Sequence, residues 1–333
     1  MNKDLLISRR QTYSYATLSV VFIVFIGSLF FAPFYFEGDQ SSYNKAYDAV
    51  KGLSFIEAQY QYWLCVTSLE FGHFFIIWVM SGLGIEKNLV MAVTNGLLVL
   101  FLMRLFARWR VSPYVAVSIC ITNFYLFVLY FTAERLKFGF LFFLMSVYCI
   151  PNKKKSVAFS FLAVISHLQL IVLYATLLFP KFLRFFIRGI AKFFLTLKFK
   201  SSGVILPLLV FFTLVFFIWW QLGEQLIYKF VAYSTNSKEE NDSLALLRSL
   251  LFFGMTFLYT KKYADVALKF IPLIIAIYFV GGERLNLFAY VIFMSYALTY
   301  KRGLNYGVLF TSIYFTYKSI DFILRIIETG QGY

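Results

Sequence analysis

Charge is scarce in this chain. Only 14% of its 333 residues are Asp, Glu, Lys or Arg, against 61% hydrophobic residues and a mean hydropathy of +0.75, a composition that does not make a water-facing globular surface. Histidine is rarer still. His73 and His167 are the only two in the sequence, and with no Cys/His cluster a dedicated transition-metal site is not expected. The three cysteines, Cys65, Cys120 and Cys149, sit in apolar stretches without metal or redox spacing and read as packing residues. A G-x-x-x-x-G-K loop, a G-x-S-x-G elbow, H-E-x-x-H and D-x-D are all missing, which removes nucleotide-phosphate cradles, serine hydrolases, zincins and metal-held nucleotide sugars. No Pro/Gly/Ser-rich linker divides the chain, so a single transmembrane domain over 1–333 is expected. The net charge of +15 does not imply nucleic acid, because the basic residues form small clusters where apolar stretches end. That is the pattern of topology signals and lipid-headgroup contacts at a bilayer.

What is present is a succession of apolar stretches, many near the length of about 20 residues that crosses a bilayer. The positive-inside rule orders them. Lys3, Arg9 and Arg10 precede a span from Thr12 to Pro33 and place the N-terminus in the cytoplasm. The segment 34–87 carries most of its charge as Glu and Asp and belongs outside, with two short apolar pieces, Ile56 to Leu69 and Phe71 to Gly84, as helices on the outer interface. Spans then follow from Asn88 to Phe106, Pro113 to Phe131 and Leu136 to Ile150, with basic clusters on the inner side. Residues 156–179 lie between two basic clusters and are expected to form a hairpin of two short helices, broken near Ser166-His167-Leu168-Gln169. The basic stretch 180–200 is expected on the cytoplasmic surface. Later spans run from Gly203 to Leu222, Leu244 to Thr260, Ala264 to Val280, Leu285 to Tyr300 and Leu304 to Ile320, leaving the C-terminus outside. The expected fold is an all-α polytopic bundle of about 10–11 membrane segments.

The outer side gathers Asp39, Arg135, His167, Arg248 and Arg284. Arg248 falls about one turn inside its span with no adjacent acid, an expensive place for a charge without a partner or a cavity. Glu134-Arg135-Leu136 and Glu283-Arg284-Leu285 echo each other at the start of two returning spans. Arginines at a membrane surface suit a lipid-linked diphosphate, since the guanidinium is always charged and binds phosphate oxygens as a fork. Such a substrate also brings its own leaving group. The local alternatives are that Glu134 and Glu283 pair with the arginines that follow them, that Asp39 caps a helix, and that the loop aromatics are interfacial anchors.

Gly38-Asp39 followed by Tyr43 and Tyr47, the Glu70-Phe71-Gly72 step, Arg135 opening a span, Ser166-His167 in a hairpin and the Glu283-Arg284 turn occur in this order along most of the chain. The ordered set resembles the EpsG-type branch of the Wzy O-antigen and capsular polysaccharide polymerases. The chain departs from that family's usual Glu-Pro at Glu70-Phe71 and from its Arg-Gln at Arg135-Leu136. The resemblance implies a GT-C-like bundle in the bacterial inner membrane that joins undecaprenyl-diphosphate-linked oligosaccharides on the periplasmic face, with a chain-length regulator protein as a further partner. On this reading Asp39 is the general base and His167 either a second proton-transfer group or a hydrogen-bond donor to phosphate or sugar, while Arg135, Arg248 and Arg284, with Lys137 as a lesser contributor, bind the diphosphate. Tyr43, Tyr47, Glu70 and Glu283 would contact glycan, with Tyr60, Tyr62 and Trp63 completing an aromatic wall. No cofactor or metal is called for. A flippase of lipid-linked oligosaccharide and an O-antigen ligase are the alternatives.

Overall fold

A computed structural model describes residues 3–68, 70–196, 241–280 and 283–331, and all its regular elements are helices. Three helical stretches are long and apolar enough to cross a membrane, Gln11–Phe34, Lys87–Arg108 and Leu170–Gly189, and two bent helix pairs add up to two more. The expected span 203–222 and loop 223–240 lie outside the described residues.

The chain forms two compact units, residues 1–170 with 297–333, and residues 171–296. In the first unit, α1 (Lys3–Phe31) packs along α5 (Lys87–Arg108), which in turn packs on α8 (Glu134–Tyr148), and α8 packs on α9 (Lys153–Ser166). The most apolar window of α5 is 67% buried whereas that of the first span is 17% buried, so α5 is the interior helix. Leu18, Phe22 and Phe30 of α1 are exposed, as suits a face that meets lipid.

Polar side chains tie these helices together. Asn95 of α5 donates to Ser28 Oγ of α1 at 2.9 Å and to the Tyr130 carbonyl at 3.0 Å, the kind of interhelical glue used where apolar burial alone offers no drive to associate. The Tyr130 carbonyl is available because the expected span 113–131 is not one straight helix. It consists of α6 (Pro113–Thr122) and α7 (Phe124–Phe127), the latter continuing as a π-helical turn over Val128–Thr132, with a bend of 53°. Asn123 makes the bend by capping the second piece, accepting from the amides of Tyr125 and Leu126.

The segment between α1 and α5 is a packed layer. It comprises α2 (Asp39–Ala49), α3 (Phe55–Val66) and α4 (Phe71–Gly82). Gly38 adopts φ +61°, a left-handed value that suits glycine, and starts α2 with Asp39 in its first turn. Ser54 and Glu57 form a capping box at the start of α3. Tyr43, Ala46 and Tyr47 of α2, Ala58 and Tyr62 of α3, and Phe74 and Ile77 of α4 share one apolar core. The two 12-residue helices α3 and α4, bent at 114° to each other, match the expected pair of short helices.

The hairpin expectation is met at its break and corrected in its second arm. Ser166 ends α9 and His167 is extended at φ −157°, but α10 (Leu170–Thr196) then runs for 27 residues through Pro180, so the basic stretch continues the second arm rather than forming a separate segment. Pro180 lacks the N–H that would bond the carbonyl of Thr176, a local loss that the helix carries, and Arg184 Nε donates to the Pro180 carbonyl at 2.9 Å one turn further on.

The second unit holds α11 (Asn241–Thr256), α12 (Tyr263–Val280) and most of α13 (Glu283–Ala297), while α14 (Tyr306–Thr329) returns to the first. Ser249 of α11 donates to Asn286 of α13 at 2.6 Å, and both residues are fully buried. Phe252 packs on Tyr290 and Phe293 beside them. At the other end of these helices, Asp265 pairs with Lys269 at 3.0 Å and with Arg184 of α10.

Candidate functional site

Six ionisable residues of the first unit, Glu70, His73, Lys87, Glu134, Arg135 and His167, converge where α2, α3, α4, α5, α8 and the Ser166–His167 break meet. Glu70, the residue that starts α4, is the centre of one half. Its Oε2 lies 3.0 Å from Arg135 Nη1 and its Oε1 lies 2.7 Å from His167 Nδ1. Arg135 also donates from Nε to the Tyr43 hydroxyl at 2.9 Å. The second ring nitrogen of His167 faces Gln169 Oε1 at 3.1 Å. Glu70 and His167 are buried, while the Arg135 side chain retains 16% exposure. That exposure makes its guanidinium the most accessible charge of this half.

The break is held in place by two glycines. A Cβ on Gly72 of α4 would stand 2.8 Å from Ser166 Cα, and one on Gly139 of α8 would stand 3.0 Å from His167 Cβ and 3.1 Å from the Ala163 carbonyl. These helices therefore approach the hairpin backbone more closely than any side chain allows, and that approach carries His167 to Glu70. Gly72→Ala and Gly139→Ala are each expected to destabilise the protein by about 1–3 kcal/mol through overpacking. Gly27→Ala, where nothing lies within 4 Å, should change little. Thermal unfolding of the detergent-solubilised variants checks this.

The other half is centred on Glu134, whose side chain is 1% exposed. Lys87 Nζ lies 2.8 Å from its Oε1, and His73 Nε2 lies 3.7 Å from its Oε2. Lys87 also donates to Asn44 of α2 at 2.7 Å, and the Tyr62 hydroxyl lies 2.9 Å from His73 Nδ1. Glu134 and Arg135 thus do not form the local pair that their adjacency suggests. Successive residues of a helix point about 100° apart, so Glu134 turns to Lys87 and His73 while Arg135 turns to Glu70 and Tyr43.

Of the residues singled out by sequence, Tyr43, Glu70, Arg135 and His167 come together directly. Asp39 is exposed in the first turn of α2, one turn before Tyr43 on the same face. Lys137 is 1% exposed and turned away from Arg135, its ammonium donating to the Tyr130 carbonyl at 2.7 Å. Tyr47 is buried in the loop core, its hydroxyl donating to the Ile85 carbonyl, and Tyr62 is buried beside His73. Tyr60 and Trp63 stay exposed and stack at 6.4 Å.

Arg248 and Arg284 belong to the second unit, where the Ser249–Asn286 bond joins the two turns that carry them. The Glu283 side chain lies outside the described residues. His73, Lys87 and Asn44 are participants to which the sequence assigned no role, while Glu134 was expected only as a local partner of Arg135 and Tyr62 only as part of an aromatic wall. Lys87 and Glu134 look like loop charges in one dimension, and the available signal is that each immediately borders an apolar stretch. Among the described residues no group of three or more His, Cys, Asp or Glu side chains is arranged to hold a metal ion. No protein-family description matches the chain, and no curated protein or solved structure matches it either.

Proposed function

We propose that this protein polymerises lipid-linked oligosaccharide repeat units by glycosyl transfer at the outer face of the bacterial inner membrane. The fuller architecture of this reading is a GT-C-like bundle of about 10–11 membrane segments, with the N-terminus inside and the C-terminus outside. The observation that carries it is the buried Glu70–Arg135–His167–Tyr43 cluster beneath a packed outer loop. Burying charge costs desolvation that pairing only partly returns, and an apolar cluster of the same volume would hold the helices as well, so the cluster is better suited to meeting an anionic substrate than to scaffolding alone.

In the reaction, a sugar hydroxyl of the incoming repeat unit attacks the anomeric carbon of the growing chain. The bond from that carbon to the diphosphate oxygen breaks, and undecaprenyl diphosphate leaves with the electron pair. Asp39 takes the hydroxyl proton; it lies one turn of α2, about 6 Å along the axis, from Tyr43. Arg135 spends Nη1 on Glu70 and Nε on Tyr43, which leaves its Nη2 edge for a phosphate oxygen. Glu70 fixes the ring of His167 through Nδ1, and Nε2 faces Gln169 Oε1, so His167 donates to sugar or phosphate by exchanging Gln169 for the substrate. The diphosphate role of Arg248 and Arg284 rests on the sequence alone.

Glycan length in cells lacking the gene tests the proposal. Deletion should leave a single repeat unit on the lipid core, wild type should restore the ladder, and expressed Arg248→Ala or Arg284→Ala should not. Loss of even the single unit on deletion would instead assign the protein to lipid-linked unit export or to the ligase step.

A further inference from the structure

A second site lies on the neighbouring face of α2. A pocket of about 340 Å³ opens between the Ala32–Phe34 turn, α2 and the start of α5, with Gln40, Asn44, Asp48, Glu86, Lys87 and Asn88 as its polar lining. Its volume falls at the lower end of the roughly 300–1,000 Å³ of small-molecule pockets. Tyr35 and Tyr47 add aromatic wall. Behind Gln40 and Asn88 is a smaller cavity of about 20 Å³, bordered also by Asn95, Glu134 and Lys137, room for about one water or one ligand hydroxyl. Two buried acceptors border it. Gln40, 8% exposed, and Asn95, 1% exposed, each have a side-chain carbonyl oxygen with no hydrogen-bond partner among the described residues. A buried amide oxygen left so is costly unless something donates to it.

The charges decide what fits. Lys87 is already committed to Glu134 at 2.8 Å and to Asn44 at 2.7 Å, while Asp48 and Glu86 are exposed carboxylates at the mouth. A phosphate would meet net negative charge there. A hydroxyl-rich ring meets amides and carboxylates that accept its O–H groups, amide N–H groups that donate to its oxygens, and aromatic rings for its apolar face.

We propose that this pocket binds a sugar residue of the incoming acceptor unit, with a hydroxyl directed to Gln40, and that it excludes the diphosphate. The assignment of the sugar to the acceptor rests on the polymerase reading; the binding of a sugar does not. Gln40, Asn44 and Asp48 share one face of α2 at four-residue spacing, and Asp39 with Tyr43 occupies the adjacent face. The pocket therefore places an acceptor sugar beside the proposed base and on the other side of the helix surface from the guanidinium.

Saturation-transfer NMR on the full-length protein in nanodiscs tests this, using methyl glycosides of a neutral hexose, an N-acetylhexosamine and an aminohexose, with inorganic pyrophosphate as competitor. The expected result is a saturable signal from at least one glycoside that pyrophosphate does not displace. It should weaken at least about tenfold in the Glu86→Gln/Asn88→Ala variant, the loss expected of hydrogen bonds to a charged group. Both substituted residues lie at the pocket mouth, Glu86 exposed and Asn88 partly so, so folding should persist, and size-exclusion chromatography confirms it. No saturable signal from any glycoside, an unchanged signal in the folded variant, or displacement by pyrophosphate would overturn the proposal. Glycoside binding in a protein whose deletion leaves the ladder intact would retain the pocket and reject the polymerase. A ladder lost on deletion with no glycoside binding would do the reverse.

Discussion

Glu134→Gln is expected to lower the stability of the folded protein by about 3–5 kcal/mol, the usual cost of removing one partner from a buried ion pair. The substitution keeps the shape of the side chain and deletes only its charge. Lys87, 8% exposed, would then keep only neutral acceptors, Asn44 and the new amide, and His73, fully buried, would lose the carboxylate 3.7 Å from its Nε2. His73 has no bulk water to turn to. For a protein of this size the midpoint of thermal unfolding should fall by on the order of 10 °C, measured on detergent-solubilised protein.

The companion experiment is Glu134→Gln combined with Lys87→Met. If the loss comes from an orphaned ammonium, removing that ammonium returns part of it, with a coupling energy on the order of 0.5–3 kcal/mol. A midpoint within a degree of wild type for Glu134→Gln, or no rescue by Lys87→Met, would mean that the two charges do not meet as described. The same logic separates the two halves of the cluster. Glu70 holds Arg135 and His167 independently of Lys87, so Lys87→Met should not rescue Glu70→Gln.

Much of this architecture was legible along the chain because it rests on one-dimensional signals. Gly38-Asp39 starts a helix, the short apolar pieces around 56–69 and 71–84 are indeed two helices, and the tetrad at 166–169 does break the chain. Each depends on a local cause: a glycine at positive φ, a span too short for a bilayer, a polar interruption of an apolar run. The kink at Asn123 and the unbroken passage through Pro180 were not legible, because tertiary partners decide whether a helix continues. The pairing of charges was the least legible. Glu134 adjoins Arg135 but serves Lys87, which is 47 residues away, and Arg135 serves Glu70. Helix geometry forbids the first pairing, yet only the packing of α4 and α5 against α8 supplies the second. Lys137 shows the converse. Its place two residues after Arg135 suggested a substrate contact, but the π-helical turn at 128–132 leaves a carbonyl that takes its ammonium.

Arg135→Lys is expected to abolish polymer while leaving the protein folded. The arginine spends Nη1 on Glu70 at 3.0 Å and Nε on the Tyr43 hydroxyl at 2.9 Å, which leaves the two N–H donors of Nη2 for a substrate. A lysine keeps the positive charge that the buried Glu70 requires, so the large penalty of an unpaired carboxylate does not arise and the melting midpoint should stay near wild type. A single ammonium on a flexible stem does not reproduce the fork. Drawn to Glu70, it no longer reaches Tyr43 or a phosphate oxygen. If Arg135 stabilises charge developing on the departing diphosphate, losing that contact should cost about 10²–10³ in rate, enough to reduce a ladder on a gel to single repeat units. Tyr43→Phe provides the graded control, since it removes one hydrogen bond to the guanidinium and leaves the Glu70 pair intact; its expected loss is roughly tenfold or less. A wild-type ladder from well-expressed Arg135→Lys would show that the guanidinium serves the fold and not the reaction. Equal loss in Arg135→Lys and Tyr43→Phe, with midpoints lowered in both, would point to the same conclusion by another route.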